Sequence, residues 1–427
     1  MRIEFPYPDF EPVEVPDENL IGLYEPREHR ACSDVAVCAA RALADPIGAR
    51  HLRDLARGAD SVLIISDDYT RQTPVRVIIP LLAAALAEAG VEERRIRILI
   101  ALGTHRPMTE EEKLRKFGAD ICGRFQIVNH DWLNEDNLVT VGAAASGEEI
   151  RVNRLAAEAG LLIGLGQVAP HRIAGYSGGA KIILPGVCGV SIAAHTHWIG
   201  GLQPVERMLG VWDNPVRWEM NEAAQMAGLR FIVNAVCDPR GRVMDVFAGC
   251  PVEAHRRAAE LAREVFGVEV PERADIVLVD SFPKDIELWQ AAKALYAAEL
   301  MVEPGGVVIL VSPCNEGVSR SHPLILERGY KSEKETMDDV RTGRLNDMLV
   351  ASHCLRVGRI IRDRATGILV SPGISPEDAR HLGFVPAATA QEAIGLAFEI
   401  KGRGARVAVL RHGGEALPCL SADAAGT

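Results

Sequence analysis

A chain of 427 residues is too long for one ordinary hydrophobic core, so two domains are expected. Its 48% hydrophobic and 25% charged residues are the composition of a globular protein, and a net charge of −11 argues against the clustered basic surface that nucleic acid requires. No stretch approaches the roughly 20 uninterrupted apolar residues that cross a bilayer. The first 20 residues are acidic and proline-punctuated, without a basic then apolar leader, so no membrane partner and a cytoplasmic location are expected. The nine cysteines are odd in number and scattered with no CxxC pair, which predicts reduced, mostly buried thiols.

Apolar runs alternate with amphipathic stretches along the chain, the pattern of an α/β fold. SVLIIS (61–66) predicts a buried strand, and VRVIIPLLAAALAEAG (75–90) the helix after it. IRILIALG (96–103) is the next strand, TEEEKLRKFG (109–118) a helix with acids in its first turn, and RFQIVNH (124–130) and GLLIGLG (160–166) further strands. VEAHRRAAELAREVFG (252–267) has helical spacing. The rhythm then restarts: a strand in VEVPERADIVLVDSF (268–282), a helix in DIELWQAAKALYAAELM (285–301), and the strand VVILVS (307–312) form a separate βαβ unit. We therefore expect an N-terminal α/β cofactor-binding domain over 1–268 and a C-terminal α/β domain over 272–404. A strand within 405–427 is expected to return to the first domain, and a cleft to lie between the two.

Polar clusters follow three of these apolar runs, and in α/β folds ligands bind beyond the carboxyl ends of strands. SDDYTRQTP (66–74) brings Asp68, Thr70 and Arg71 together, and a guanidinium grips carboxylate or phosphate in bidentate fashion. The plain alternative is a helix cap with a surface arginine. ALGTHRP (101–107) places His105 at the same edge, and histidine transfers protons near neutral pH. The third cluster, VAPHRIAGYSGGAKIILPGVCGVSIAAHTHW (168–198), holds His171, Lys181, His195 and His197. Ser177, Gly178 and Gly179 are small residues whose amides could line a phosphate, although GxxxxGK[ST] is absent because Ile182 follows Lys181. His195 and His197 share a face on a strand and diverge on a helix. In the second domain, Gln290 and Lys293 are three apart beside Trp289, either as a solvated helix face or as donors for a carboxylate in the cleft.

Taken in order, DDYTRQTP, GTHRPMTEEE, HRIAGYSGGAKIILPGVCG with HTH after it, DIELWQAAKAL and EPGGVVILVSPCNEG resemble the nickel-dependent lactate racemase family from about residue 60 to 320. The tail RVAVLRHGGEALP is also similar. The resemblance implies an isomerase, a racemase or epimerase that inverts C2 of a 2-hydroxy carboxylic acid through a 2-keto acid, by reversible hydride transfer. It implies a nickel-pincer nucleotide, the Ni(II) complex of pyridinium-3-thioamide-5-thiocarboxylic acid mononucleotide, joined covalently to Lys181. Dedicated biosynthesis proteins would supply that cofactor, and protein made without them would be apo. His197 would be the protein ligand to nickel, with His195 the alternative. His105 and His171 would be the paired acid and base. Arg71, Gln290, Lys293 and Trp289 would bind substrate, while Asp68, Thr70, Ser177, Gly178 and Gly179 would sit against the cofactor. Where the family has a second aromatic in the pocket, this chain offers His353, which suits a larger or more polar substrate, such as a dicarboxylic or sugar-derived acid. The competing reading of the histidines alone is a divalent-metal-dependent hydrolase or lyase. An oligomer is possible.

Overall fold

Two sheets of six strands each organise the computed structural model, which describes residues 1–421. In the first, the spatial order is Val243–Gly249, Leu229–Cys237, Leu161–Gln167, Val62–Asp67, Ile96–Ala101 and Gln126–Asn129. Only Val243–Gly249 runs antiparallel to its neighbour; the other pairs are parallel. Val62–Asp67 is buried along its whole length, as a central strand covered on both faces must be. Helices Val75–Glu88 and Glu110–Arg124 cover this sheet, and the second of these opens with a capping box between Thr109 and Glu112. Gly118, expected to end that helix, interrupts it with φ 83° before the chain resumes helical geometry to Arg124.

The second sheet runs Val385–Ala387, Ala365–Val370, Val302–Val311, Ala274–Asp280, Val407–Leu410 and Leu20–Tyr24, all parallel. The tail therefore corrects the expectation drawn for 405–427. Val407–Leu410 is apolar and wholly buried, and it fills the gap between Ala274–Asp280 and Leu20–Tyr24 in the second sheet instead of returning to the first. A further short strand, Leu417–Leu420, pairs with Gly267–Val270 at the junction between the two halves. Positions 422–427 of the expected returning segment lie outside the described residues.

The helix expected over 285–301 begins only at Leu288. The carbonyls of Asp285 and Ile286 accept from the amides of Cys314 and Glu316, and the Leu288 amide donates to Gly317. That strapping places Gln290 in the first helical turn, facing the first sheet. The two halves also meet where helix Val190–Leu202 packs on helix Met348–Gly358. An added Cβ at Gly201 would lie 2.6 Å from Ser352 Oγ, so the serine hydroxyl occupies the space that this glycine leaves open. No helix among the described residues is long and apolar enough to cross a membrane.

Candidate active site

The carboxyl ends of Val62–Asp67, Ile96–Ala101 and Leu161–Gln167 open into a cleft roofed by helix Leu288–Met301 and helix Met348–Gly358. Parallel strands feeding loops at one end put polar side chains from distant positions on a shared rim. The loop after Val62–Asp67 is pinned from below by Lys116. Its Nζ donates to Asp67 Oδ1 at 2.8 Å, to the Asp68 carbonyl at 2.7 Å and to the Arg71 carbonyl at 3.1 Å. From the second half, Lys284 donates to the Thr70 carbonyl at 3.0 Å and to Glu415 at 2.7 Å, strapping the two halves together.

On this loop Asp68 faces His105. Nδ1–H of His105 donates to Asp68 Oδ2 at 2.5 Å, while Oδ1 accepts from the Thr70 amide at 3.0 Å and the Thr70 hydroxyl at 2.6 Å. Burial alone would push the Asp68 carboxyl up, but the neighbouring His105 ring, with Arg71 and Thr70, holds it well below the usual range. A carboxylate fixed in this way sets the tautomer of the ring and leaves Nε2 of His105 as an acceptor. Nε2 takes a hydrogen bond from Gln290 Nε2 at 3.0 Å, and Lys293 Nζ donates to Gln290 Oε1 at 2.5 Å. Asp68, His105, Gln290 and Lys293 thus form one chain across the cleft. Arg71 lines the same end, its Nη1 held by the Thr70 hydroxyl at 2.8 Å. Burial first, then the charges of Arg71, Lys284 and Lys181, push the Lys293 amine well below its ordinary value. Cations crowded this closely favour an anion between them.

His171 lines the same cleft in the opposite tautomeric setting. Its Nδ1 accepts from the amides of Ile173 and Ala174, both at 3.2 Å, so the proton of the neutral ring sits on Nε2. Burial, followed by the positive charges of Lys181, Lys293 and Arg71, keeps His171 well below its ordinary value and neutral. The site therefore contains one imidazole presented as an acceptor and one presented as a donor.

Lys181 sits beyond a turn whose glycines are structurally required. Gly178 and Gly179 have φ 75° and 58°, and a Cβ on Gly179 would lie 2.6 Å from His255 Cγ. The turn is built from the protein's own groups. Ser177 N donates to the Ala169 carbonyl at 2.8 Å, Gly179 N to Asn234 Oδ1 at 2.9 Å, and Lys181 N to the Gly178 carbonyl at 3.2 Å. The Ser177 and Gly179 amides are thus spent within the fold, while Ser177 and Gly178 line the cleft beside Lys181. Arg217, fully buried, donates to the carbonyls of Ala174, Tyr176 and Gly178, and His255 donates to the Ser177 carbonyl at 2.8 Å. Burial, then Arg71 and Arg217, lower the Lys181 amine to about 7, so a substantial share is uncharged and nucleophilic at neutral pH.

His195 and His197 lie on helix Val190–Leu202 and diverge, as two positions apart on a helix must. His197 lines the cleft, and its Nδ1–H donates to the Ala193 carbonyl at 2.7 Å, leaving Nε2 as the free lone pair. A backbone carbonyl on the far nitrogen is the usual way a metal-binding imidazole is oriented. His195 is turned aside, with Nε2 3.3 Å from Glu219. Trp289 is sandwiched between His322, with ring centres 4.4 Å apart, and His353, at 4.3 Å. Among the described residues, no three His, Cys, Asp or Glu side chains converge to hold a metal by protein ligands alone. That leaves the divalent-metal hydrolase reading without a ligand set, while a single imidazole beside a nucleophilic lysine fits a metal carried by an anchored organic group.

Sequence reasoning brought Asp68, Arg71, His105, His171, Lys181, His197, Trp289, Gln290 and Lys293 to the cleft, and the structure gathers them there. It missed Lys116, Asn234, Arg217 and His255, which no strand end announces, and it missed Tyr296 and Arg356 in the wall.

The chain matches the family description "Lactate racemase N-terminal domain" over residues 9–208 and "Lactate racemase C-terminal domain" over residues 270–416. It is 31% identical to the lactate racemase of Thermoanaerobacterium thermosaccharolyticum over 425 residues, covering 96% of this chain and 98% of that protein. With the lactate racemase of Lactiplantibacillus plantarum it shares 32% over 379 residues, covering 87% and 88%. The solved lactate racemase apoprotein from T. thermosaccharolyticum superposes with a TM-score of 0.86 over 98% of this chain and 100% of that one, at 31% identity. A Thermotoga maritima protein of 24% identity shares the fold, with a TM-score of 0.72 over 91% and 97%. Both halves of the chain, and the cleft between them, thus belong to the lactate racemase family of isomerases.

Proposed function

We propose that this protein interconverts the two configurations at C2 of a 2-hydroxy carboxylic acid, using a nickel-pincer nucleotide joined to Lys181. The observation that carries this reading is the pairing of His105, held by Asp68 as an acceptor, with His171, held by two amides as a donor, beside Lys181. The residues fit the implied cofactor. Lys181 offers an amine lowered to about 7 for the covalent bond, and His197 offers a free Nε2 to nickel. When bound, the cofactor supplies an electron-poor acceptor for hydride, which spares the enzyme a carbanion that no histidine is basic enough to create.

The chain's own groups do the rest. Arg71 and Lys293 hold the substrate carboxylate, with Gln290 linking that clamp to His105. His105 Nε2 takes the hydroxyl proton as the α-hydrogen leaves, and Asp68 stabilises the resulting imidazolium. The ketone turns while its carboxylate stays clamped. Its oxygen then faces His171, whose Nε2–H offers the proton on the other side. Two imidazoles are needed because the oxygen occupies opposite sides of the carbon in the two isomers.

Protein co-expressed with the cofactor's biosynthesis enzymes should gain the cofactor mass on the Lys181 peptide, bind nickel stoichiometrically and racemise a 2-hydroxy acid in a polarimetric assay. Retention of activity by Lys181→Ala, or activation of the unloaded protein by zinc or manganese alone, would overturn the proposal.

A further inference from the structure

Four cations in the supports of the cleft meet acceptors that the protein itself supplies. Lys116 pairs with Asp67 and Lys284 with Glu415. Arg217 spends its donors on three carbonyls, and Arg172 donates to the carbonyls of Gly200 and Gln203. Arg356 is different. It is 5% exposed, lines the cleft, and only its Nε is used, donating to the Ser352 carbonyl at 2.9 Å. Its guanidinium carbon lies 5.2 Å from the centre of the Tyr296 ring, and no carboxylate among the described residues pairs with it. The terminal amino groups, the fork that grips an oxyanion, are unspent. Those amino groups line the cleft, where the oxyanion of a ligand would meet a guanidinium fork with no protein acceptor to displace.

Its position says which end of a ligand it meets. Arg356 is one turn beyond His353 on helix Met348–Gly358, and His353 stacks on Trp289, the neighbour of Gln290. Tyr330 fixes the His353 ring through a hydrogen bond of 2.9 Å. The cleft thus has two cationic groups of side chains: Arg71 with Lys293 beside His105, and Arg356 against Tyr296, one turn from His353. A methyl group at C3 of the substrate would leave the second group unsatisfied.

Resting on the function proposed above, we infer that Arg356 binds an oxyanion at the far end of the substrate, so that the preferred substrate is a 2-hydroxy dicarboxylic acid. The phosphate of a bound mononucleotide is the other oxyanion with this chemistry, and the test separates the two. Cofactor-loaded wild type, Arg356→Gln and Arg356→Lys are compared on lactate and on malate, the four-carbon dicarboxylate. The extent of cofactor loading is read from the mass of the Lys181 peptide. Wild type should favour malate in kcat/KM, and Arg356→Gln should lower the malate-to-lactate ratio by about tenfold or more, chiefly through KM, since hydrogen bonds between charged groups are individually strong. Arg356→Lys, which keeps the charge but not the fork, should recover part of that ratio.

Preference of the wild type for lactate, or a ratio unmoved by Arg356→Gln, overturns the inference. So does a loss of cofactor mass in Arg356→Gln with the ratio unchanged, which assigns Arg356 to the phosphate. If the loaded enzyme turns over neither acid, the proposed function fails, and calorimetry on unloaded protein still decides this point. Malate should bind unloaded wild type more tightly than lactate, and Arg356→Gln should abolish the difference; equal binding of the two acids by wild type overturns the inference.

Discussion

Replacing Asp68 with asparagine keeps the shape of the side chain and removes one charge and one acceptor. In the native site both carboxylate oxygens only accept: Oδ2 from His105 at 2.5 Å, and Oδ1 from the amide and hydroxyl of Thr70 at 3.0 and 2.6 Å. An asparagine has a single oxygen for these donors. If that oxygen stays with Thr70, the new NH2 meets Nδ1 of His105, which must then accept, so the ring proton moves to Nε2. The lone pair that would take the substrate's hydroxyl proton is gone, and Gln290 is left donating toward another N–H. Losing a hydrogen bond to a charged group costs about 1.5–3 kcal/mol. The tautomer switch, with no carboxylate beside the developing imidazolium, adds roughly 2 kcal/mol more. A sum of about 3.5–5 kcal/mol corresponds to a fall in kcat of several hundredfold to several thousandfold. Initial rates by chiral chromatography, normalised to cofactor mass on the Lys181 peptide, measure it. A kcat within about tenfold of wild type at equal loading would refute the role given to Asp68.

Three further outcomes follow from the same geometry. His197→Ala should lose nickel from the loaded protein while His195→Ala retains it, as metal analysis after desalting will report, because only His197 turns a free nitrogen to the cleft. Gly179→Ala must set a Cβ 2.6 Å from the His255 ring at φ 58°. It should lower stability by about 1–3 kcal/mol in denaturant titration and reduce the mass gain at Lys181. Because burial and nearby cations lower the Lys181 amine to about 7, it loses its proton as pH rises through that value. Acylation of Lys181 in unloaded protein should therefore be half-maximal near that pH, well below the ordinary lysine range. A profile that follows exposed lysines would contradict the burial assigned to it.

Several strands were legible as short apolar, β-branched runs, because a strand covered on both faces has little freedom in composition; Val62–Asp67 and Ile96–Ala101 fell where SVLIIS and IRILIALG placed them. Asp68, Arg71 and His105 were legible for the same reason, since each follows such a run. What supports them was not. Arg217 and His255 sit in helices whose sequence reads as ordinary amphipathic surface, and their partners are backbone carbonyls about 40 to 80 positions away that carry no signature. That Asn234, a residue of a distant strand, takes the Gly179 amide was equally invisible in SGGAK. The tail was misplaced because four apolar residues suit the interior of either sheet, and only the gap beside Ala274–Asp280 decides between them. His197 could be told from His195 only once the segment was known to be a helix.

The contact between helix Val190–Leu202 and helix Met348–Gly358 makes two traits heritable together. Ser352 Oγ donates to the His197 carbonyl at 2.5 Å and rests against Gly201, while His353 and Arg356 stand on the same helix. Any change that repositions His353 or Arg356 to admit a different acid also tugs on the backbone that carries His197. On the function proposed above, a new substrate range in this scaffold would be constrained by metal retention. An engineer who randomises the pocket wall should hold Ser352 and Gly201 constant and screen for nickel alongside turnover.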